Sequence, residues 1–304
     1  MSIPIVVGLA LRQDDAAPIA LGRDLALLTD APLALVHAFP YEHLSAVPAG
    51  IHSSELHARS MEALERLAGP MRADVEVTVR AGTGPSPAAV LRDAAAAVDA
   101  PLLVVGSTHR GRFGRVMPGS VTARLLHDAA YAVAVAPRGH RGGTPFRRIG
   151  VAFVDTPEGR HALTVATATA VLCGARLRVF TVHHHAPPGS TPAVPCWGGH
   201  AAAERETLDR AVATAERARA LVPADVLDYV EVISGHPADA LITVSTELDL
   251  LVCGSRGLGP VHATLRDGVS RALVDGAPCP VLVLPHVGGK TIARLVRRRA
   301  AVGG

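Results

Sequence analysis

The residues best placed to do chemistry are glycines, hydroxyls and arginines that recur in two stretches. Residues 102–137 read LLVVGSTHRGRFGRVMPGSVTARLLHDAAYAVAVAP, and residues 250–285 read LLVCGSRGLGPVHATLRDGVSRALVDGAPCPVLVLP. In the first, Gly106-Ser107 closes an apolar run, Arg110, Gly111, Arg112, Gly114 and Arg115 follow, and Gly119-Ser120 opens a short helical segment. In the second, Gly254, Gly257 and Asp267-Gly268 hold the corresponding places. Glycine lets backbone N–H groups approach an anion, a helix N-terminus adds partial positive charge, and arginine neutralises what arrives, so the pattern suits phosphate. Gly106 and Gly254 are 148 residues apart, as are Pro137 and Pro285, which marks a tandem repeat of one domain.

Short Val-, Leu- and Ile-rich runs must position these loops. Strands are expected at Ile3–Gly8, Leu33–Ala38, Val75–Arg80, Leu102–Gly106 and Ala132–Ala136, then at Ile149–Phe153, Leu177–Val182, Tyr229–Ile233, Leu250–Gly254 and Val281–Leu284. None alternates, as expected of parallel strands buried on both faces. Helices are expected between them at Ala16–Thr29, Ser53–Ala68, Pro87–Val98 and Ser120–Asp128, then at Glu158–Cys173, His200–Leu221, Pro237–Ser245 and Gly268–Val274. Ser86 is the expected N-cap before Pro87. This alternation predicts an α/β protein of two tandem, doubly wound, parallel five-stranded sheets, Rossmann-like in form. The expected parts are domain 1 over 1–138, a linker over 139–147, domain 2 over 148–286 and a basic tail over 287–304.

Composition removes several classes. No run reaches the roughly 18 apolar residues of a membrane helix. The opening MSIPIVVGLALRQDD reads as a first strand and not as a signal peptide, so a cytoplasmic protein without a membrane partner is expected. Net charge is +3, but the tail holds Lys290, Arg294, Arg297, Arg298 and Arg299 and no acid, leaving −2 elsewhere. With 3% aromatic residues, that near-neutral body does not suggest a nucleic-acid surface. Lys290 is the only lysine, so the body has none for a Schiff base or a Walker-type loop. Cys173, Cys196, Cys253 and Cys279 lack metal-type spacing and read as reduced structural thiols. His183-His184-His185, with Cys196 and His200 beyond, reads as a solvated histidine loop and not a metal site, and His37 reads as structural. Neither Ser107 nor Ser255 has an assignable base, so no catalytic residue is expected.

The two glycine motifs, in register with their strands, resemble those of a tandem universal stress protein, over almost everything before the tail. The resemblance implies the adenine-nucleotide alpha hydrolase-like version of the fold. It also implies a G-x2-G-x9-G-[S/T] loop holding ribose and phosphates of ATP with Mg²⁺, and an Asp after the first strand holding the nucleoside. Carried onto this chain, Gly106, Ser107, Arg110, Gly111, Gly119 and Ser120 would contact phosphate in domain 1, with Arg112 neutralising charge. Val36 or His37 would offer backbone to adenine. In domain 2 the counterparts are Gly254, Gly257 and Gly268. The chain departs from the pattern at His109, the second glycine position, and at Ala10 and Val154, the Asp positions. It also departs at Asp267, which is expected to cap the helix and repel phosphate. Domain 1 therefore fits ATP better than domain 2. The resemblance implies binding and signalling in stress response, through ligand and protein partners. A nucleotide-independent scaffold and a slow ATPase are the alternatives. It also implies that the apolar edges Val133–Ala136 and Val281–Leu284 pair as an internal pseudo-dimer, or between chains of a homodimer.

Overall fold

A computed structural model describes residues 3–11, 15–40, 53–107, 121–127, 130–183, 199–255 and 268–285. Two compact units divide the chain, one that includes Met1–Pro145 and the other spanning Phe146–Val287.

The first unit holds β1 (Ile5–Leu9), α1 (Ala16–Thr29), β2 (Leu33–Pro40), α2 (Ser53–Ala68), a 3-10 turn (Gly69–Ala73), β3 (Val77–Gly84), α3 (Pro87–Ala97), β4 (Leu102–Gly106), α4 (Val121–His127) and β5 (Ala132–Ala136). Its parallel strands are ordered β3-β2-β1-β4-β5. The order reverses between β1 and β4, which opens a crevice at their carboxyl ends. Every residue of β1 and β5 is buried, as the uninterrupted apolar runs require. Helix α3 begins as expected, with Pro87 in its first turn and Ser86 Oγ accepting from the Ala89 N–H at 3.2 Å.

The second unit repeats the plan with β6 (Arg148–Ala152), α5 (Pro157–Cys173), β7 (Arg176–His183), α6 (Gly199–Leu221), β8 (Leu227–Ser234), α7 (Pro237–Ser245), β9 (Leu250–Gly254), α8 (Val269–Gly276) and β10 (Val281–Leu284). The order is β8-β7-β6-β9-β10, again parallel, with the reversal between β6 and β9. Helix α1 ends on Asp30 at φ 53°, and α5 ends on Gly174 at φ 63°. Both helices thus use a left-handed cap, and only in the second is it glycine, which carries no Cβ penalty there.

Strand register shows how the repeats differ inside. Ile5 pairs with Leu33 and Ile149 with Leu177, so Val6 corresponds to Gly150 and Val36 to Phe180. The Phe180 ring is 1% exposed, and its Cε2 would lie 3.2 Å from a Cβ built on Gly150. Volume that the first unit places on two valines sits in the second on one ring over a glycine.

The stretch between the units is held at both ends. Asp24 of α1 accepts from the Gly143 N–H with both carboxylate oxygens, each at 3.0 Å. Phe146 is buried, and Asp249 Oδ2 accepts from the Arg147 and Arg148 N–H groups at 2.9 and 2.8 Å.

Candidate functional site

Each crevice is built around the glycine that ends the fourth strand of its unit. In the first, the Thr122 hydroxyl donates to the Gly106 carbonyl at 3.3 Å. In the second, the Ser270 hydroxyl donates to the Gly254 carbonyl at 3.1 Å. Each bond ties a strand end to the helix that follows, so each glycine-rich loop starts and finishes at one place. At Gly106 an added Cβ would meet only Pro18 among the described residues, at 3.6 Å, an ordinary contact. Packing there does not demand glycine. The Ser107 N–H donates to the Ala136 carbonyl and the Ser255 N–H to the Leu284 carbonyl, both at 2.8 Å. Those two N–H groups serve the sheet, which leaves each serine its hydroxyl.

Val36 is 1% exposed, so its side chain belongs to the core. Arg110, Gly111, Arg112, Gly119, Ser120 and Gly257 lie outside the described residues, as do His109, Asp267 and the tail from 287. Gly268 is the N-cap of α8, and among the described residues no side chain caps the helix there. The carboxylate of Asp267, expected to cap this helix, lies outside the described residues.

At the first strand of each unit, a described acid near the expected Asp position is already engaged. Buried Asp15 accepts from the Ala10 N–H at 3.0 Å. Between them Leu11 takes φ 54°, a left-handed conformation that favours glycine. In the second unit Asp155 accepts from Arg160 Nε at 2.6 Å and Arg217 Nη1 at 2.9 Å. Thr156 caps α5, its Oγ1 accepting from the Gly159 N–H at 3.1 Å. Sequence reasoning missed the Asp155 clasp because Arg217 is 62 residues away.

The hydrogen bond from Arg160, with Arg217 adding to it, holds the Asp155 carboxyl below the usual carboxylate range. A carboxyl whose folded value is depressed contributes stability above its unfolded value of about 3.9, and that contribution is lost as pH falls through the folded value. Asp155→Asn is therefore expected to be less stable than the parent at pH 7. The gap should close in strong acid. Urea unfolding at both pH values checks this, and a gap that persists in acid would refute it.

His183 corrects another expectation. It is not in a solvated loop but buried in β7, 5% exposed. The Thr207 hydroxyl donates to the Glu204 carbonyl, so Thr207 Oγ1 accepts from His183 Nε2 at 2.9 Å. His184, His185 and Cys196 lie outside the described residues, as does the His200 side chain. Among the described residues no three His, Cys, Asp or Glu side chains are grouped to hold a metal. Burial pushes the Cys253 and Cys279 thiols up to about 12 and Cys173 to about 11, so all three are poorly ionised. No helix among the described residues is long and apolar enough to cross a membrane.

Fold and crevices together define a tandem α/β protein with a glycine-ended strand at each of two switch points. A family model described as "Universal stress protein family" matches residues 1–137 and again 145–285, and the chain belongs to that family. A universal stress protein of Mycobacterium tuberculosis is 29% identical over 245 residues, covering 77% of this chain and 80% of its own length. One from Thermus aquaticus is 34% identical over 148 residues, which is 46% of this chain and 98% of that protein. The crystal structure of a universal stress protein from Archaeoglobus fulgidus superposes with a TM-score of 0.66 at 19% identity. It covers 94% of this chain and 99% of that one, and at this identity the likeness bears on the fold alone.

Proposed function

We propose that this is a cytoplasmic stress-response protein that acts by binding, with an adenine nucleotide, ATP carrying Mg²⁺, held in the crevice of the first unit. One observation carries this reading. The bond from Thr122 to the Gly106 carbonyl brings the end of β4 to the start of α4 at the switch point. Residues 108–120 are rich in glycine and arginine, a composition that suits phosphate through backbone donors and positive charge. Protein partners would then read the bound or empty state.

For the second unit the scaffold reading is favoured. Its strand-end acid, Asp155, is clasped by Arg160 and Arg217 and is not free to hold a nucleoside.

Titration calorimetry of the full chain with ATP and Mg²⁺, after mass spectrometry for carried-over nucleotide, tests the proposal. A single class of sites is expected, lost in Gly119→Glu and retained when Asp267 is replaced. No heat up to millimolar ATP, and no carried-over ligand, would sink it.

A further inference from the structure

In the first unit β2 lies beside β1 at the crevice, and His37 is in register with Leu9, the last residue of β1. His37 Nδ1 is 2.9 Å from the Leu9 carbonyl oxygen. A carbonyl can only accept, so Nδ1 carries the hydrogen, and in the neutral ring Nε2 then holds a lone pair. The half-buried ring stacks on Phe39, with centroids 6.0 Å apart and planes at 29°, which restrains its orientation.

The second unit shows what the fold itself needs at this place. Thr181 is the equivalent residue by register, and its hydroxyl meets the Phe153 carbonyl, the counterpart of Leu9, at 3.5 Å. One donor is enough to tie the second strand to the end of the first. Thr181 supplies that donor and is buried. His37 supplies the same donor and keeps a second nitrogen, for which no described residue is a partner.

We infer that His37 is a ligand-recognition residue of the first crevice, its Nε2 accepting a hydrogen bond from a ribose hydroxyl or an exocyclic amine of the bound nucleotide. This rests on the nucleotide reading above. Among the described residues, the polar side chain nearest in sequence to the end of β1, Asp15, is already bonded to the Ala10 N–H. The second unit has a buried threonine at this position and no ring nitrogen beside the strand end, so the two crevices differ in what they can recognise.

The substitution that isolates Nε2 is His37→Thr, because the second unit shows that threonine keeps the strand-end bond. Calorimetry with ATP and Mg²⁺ is expected to show affinity weakened about fivefold, the worth of one hydrogen bond. ATP analogues lacking the 2′-hydroxyl or the 6-amino group identify the donor. The analogue that lacks it should bind the parent and His37→Thr equally.

A second measurement needs no variant. In the parent chain labelled with ¹⁵N-histidine, the Nε2 resonance of His37 should move on adding ATP while Nδ1 stays. No ATP binding by the parent overturns the nucleotide reading and this inference with it. Binding by the parent with equal affinity in His37→Thr, or with an undisturbed Nε2 resonance, overturns this inference alone.

Discussion

Gly159→Ala is expected to destabilise the second unit by about 3 kcal/mol or more. A Cβ at this position would lie 1.8 Å from the Val154 carbonyl oxygen and 2.9 Å from its carbon. Both are backbone atoms, so no rotamer change relieves the overlap, and the first turn of α5 must move away from the end of β6. Moving it strains the cap, because Gly159 N–H is the donor that Thr156 Oγ1 accepts. It also displaces α5 from a buried face that includes Ala162, Leu163, Val165 and Ala166. Gly268→Ala is the control, since a Cβ there meets no described residue within 4 Å and its φ is −61°. Urea unfolding of both variants gives the answer. Equal midpoints for Gly159→Ala and the parent would mean that α5 does not approach Val154 this closely.

Phe180→Ala should cost about 3–5 kcal/mol, the range for removing a buried aromatic ring. The site cannot collapse easily, because the neighbour beneath the ring is Gly150, which has no side chain to move into the space. The first unit offers the repair, since Val6 and Val36 occupy the equivalent places. Phe180→Val combined with Gly150→Val should be less destabilised than the sum of the single changes. Recovery should be partial, because a Cβ on Gly150 also comes within 2.3 Å of Leu248 Cδ1, the end of a flexible side chain. Strict additivity in this cycle would mean that ring and glycine do not share the volume.

The elements were legible in the sequence wherever one physical cause acted alone. Leu102–Gly106 and Leu250–Gly254 are strands with the expected bounds, since a short apolar run between turn residues has little else to become. β3 was misplaced: it starts at Val77 and runs to Gly84. Val75 instead finishes the turn after Gly69–Ala73, its N–H donating to the Met71 carbonyl at 3.0 Å. Local composition does not reveal that bond. At the site, the glycine ends of β4 and β9 were legible because the repeat shows them twice. The roles of Asp155, Thr181 and His183 were not, because each is fixed by a partner from another element. His183 looked solvated beside two more histidines, yet its strand buries it, and Thr207 accepts a hydrogen bond from its ring.

The trade between Val6–Val36 and Gly150–Phe180 bears on how the chain assembles as it is made. Two domains of one topology in one polypeptide invite a strand of the first to settle in the nascent sheet of the second, a characteristic failure of repeat proteins. Here such an intruder carries the wrong bulk. β2 delivered beside β6 brings Val36 where Gly150 awaits a ring, and leaves a void. β7 delivered beside β1 brings Phe180 against Val6, which stands where the second unit has Gly150. Mismatched interiors thus give each half a way to refuse the strands of the other, and sequence divergence in the core becomes a proofreading device.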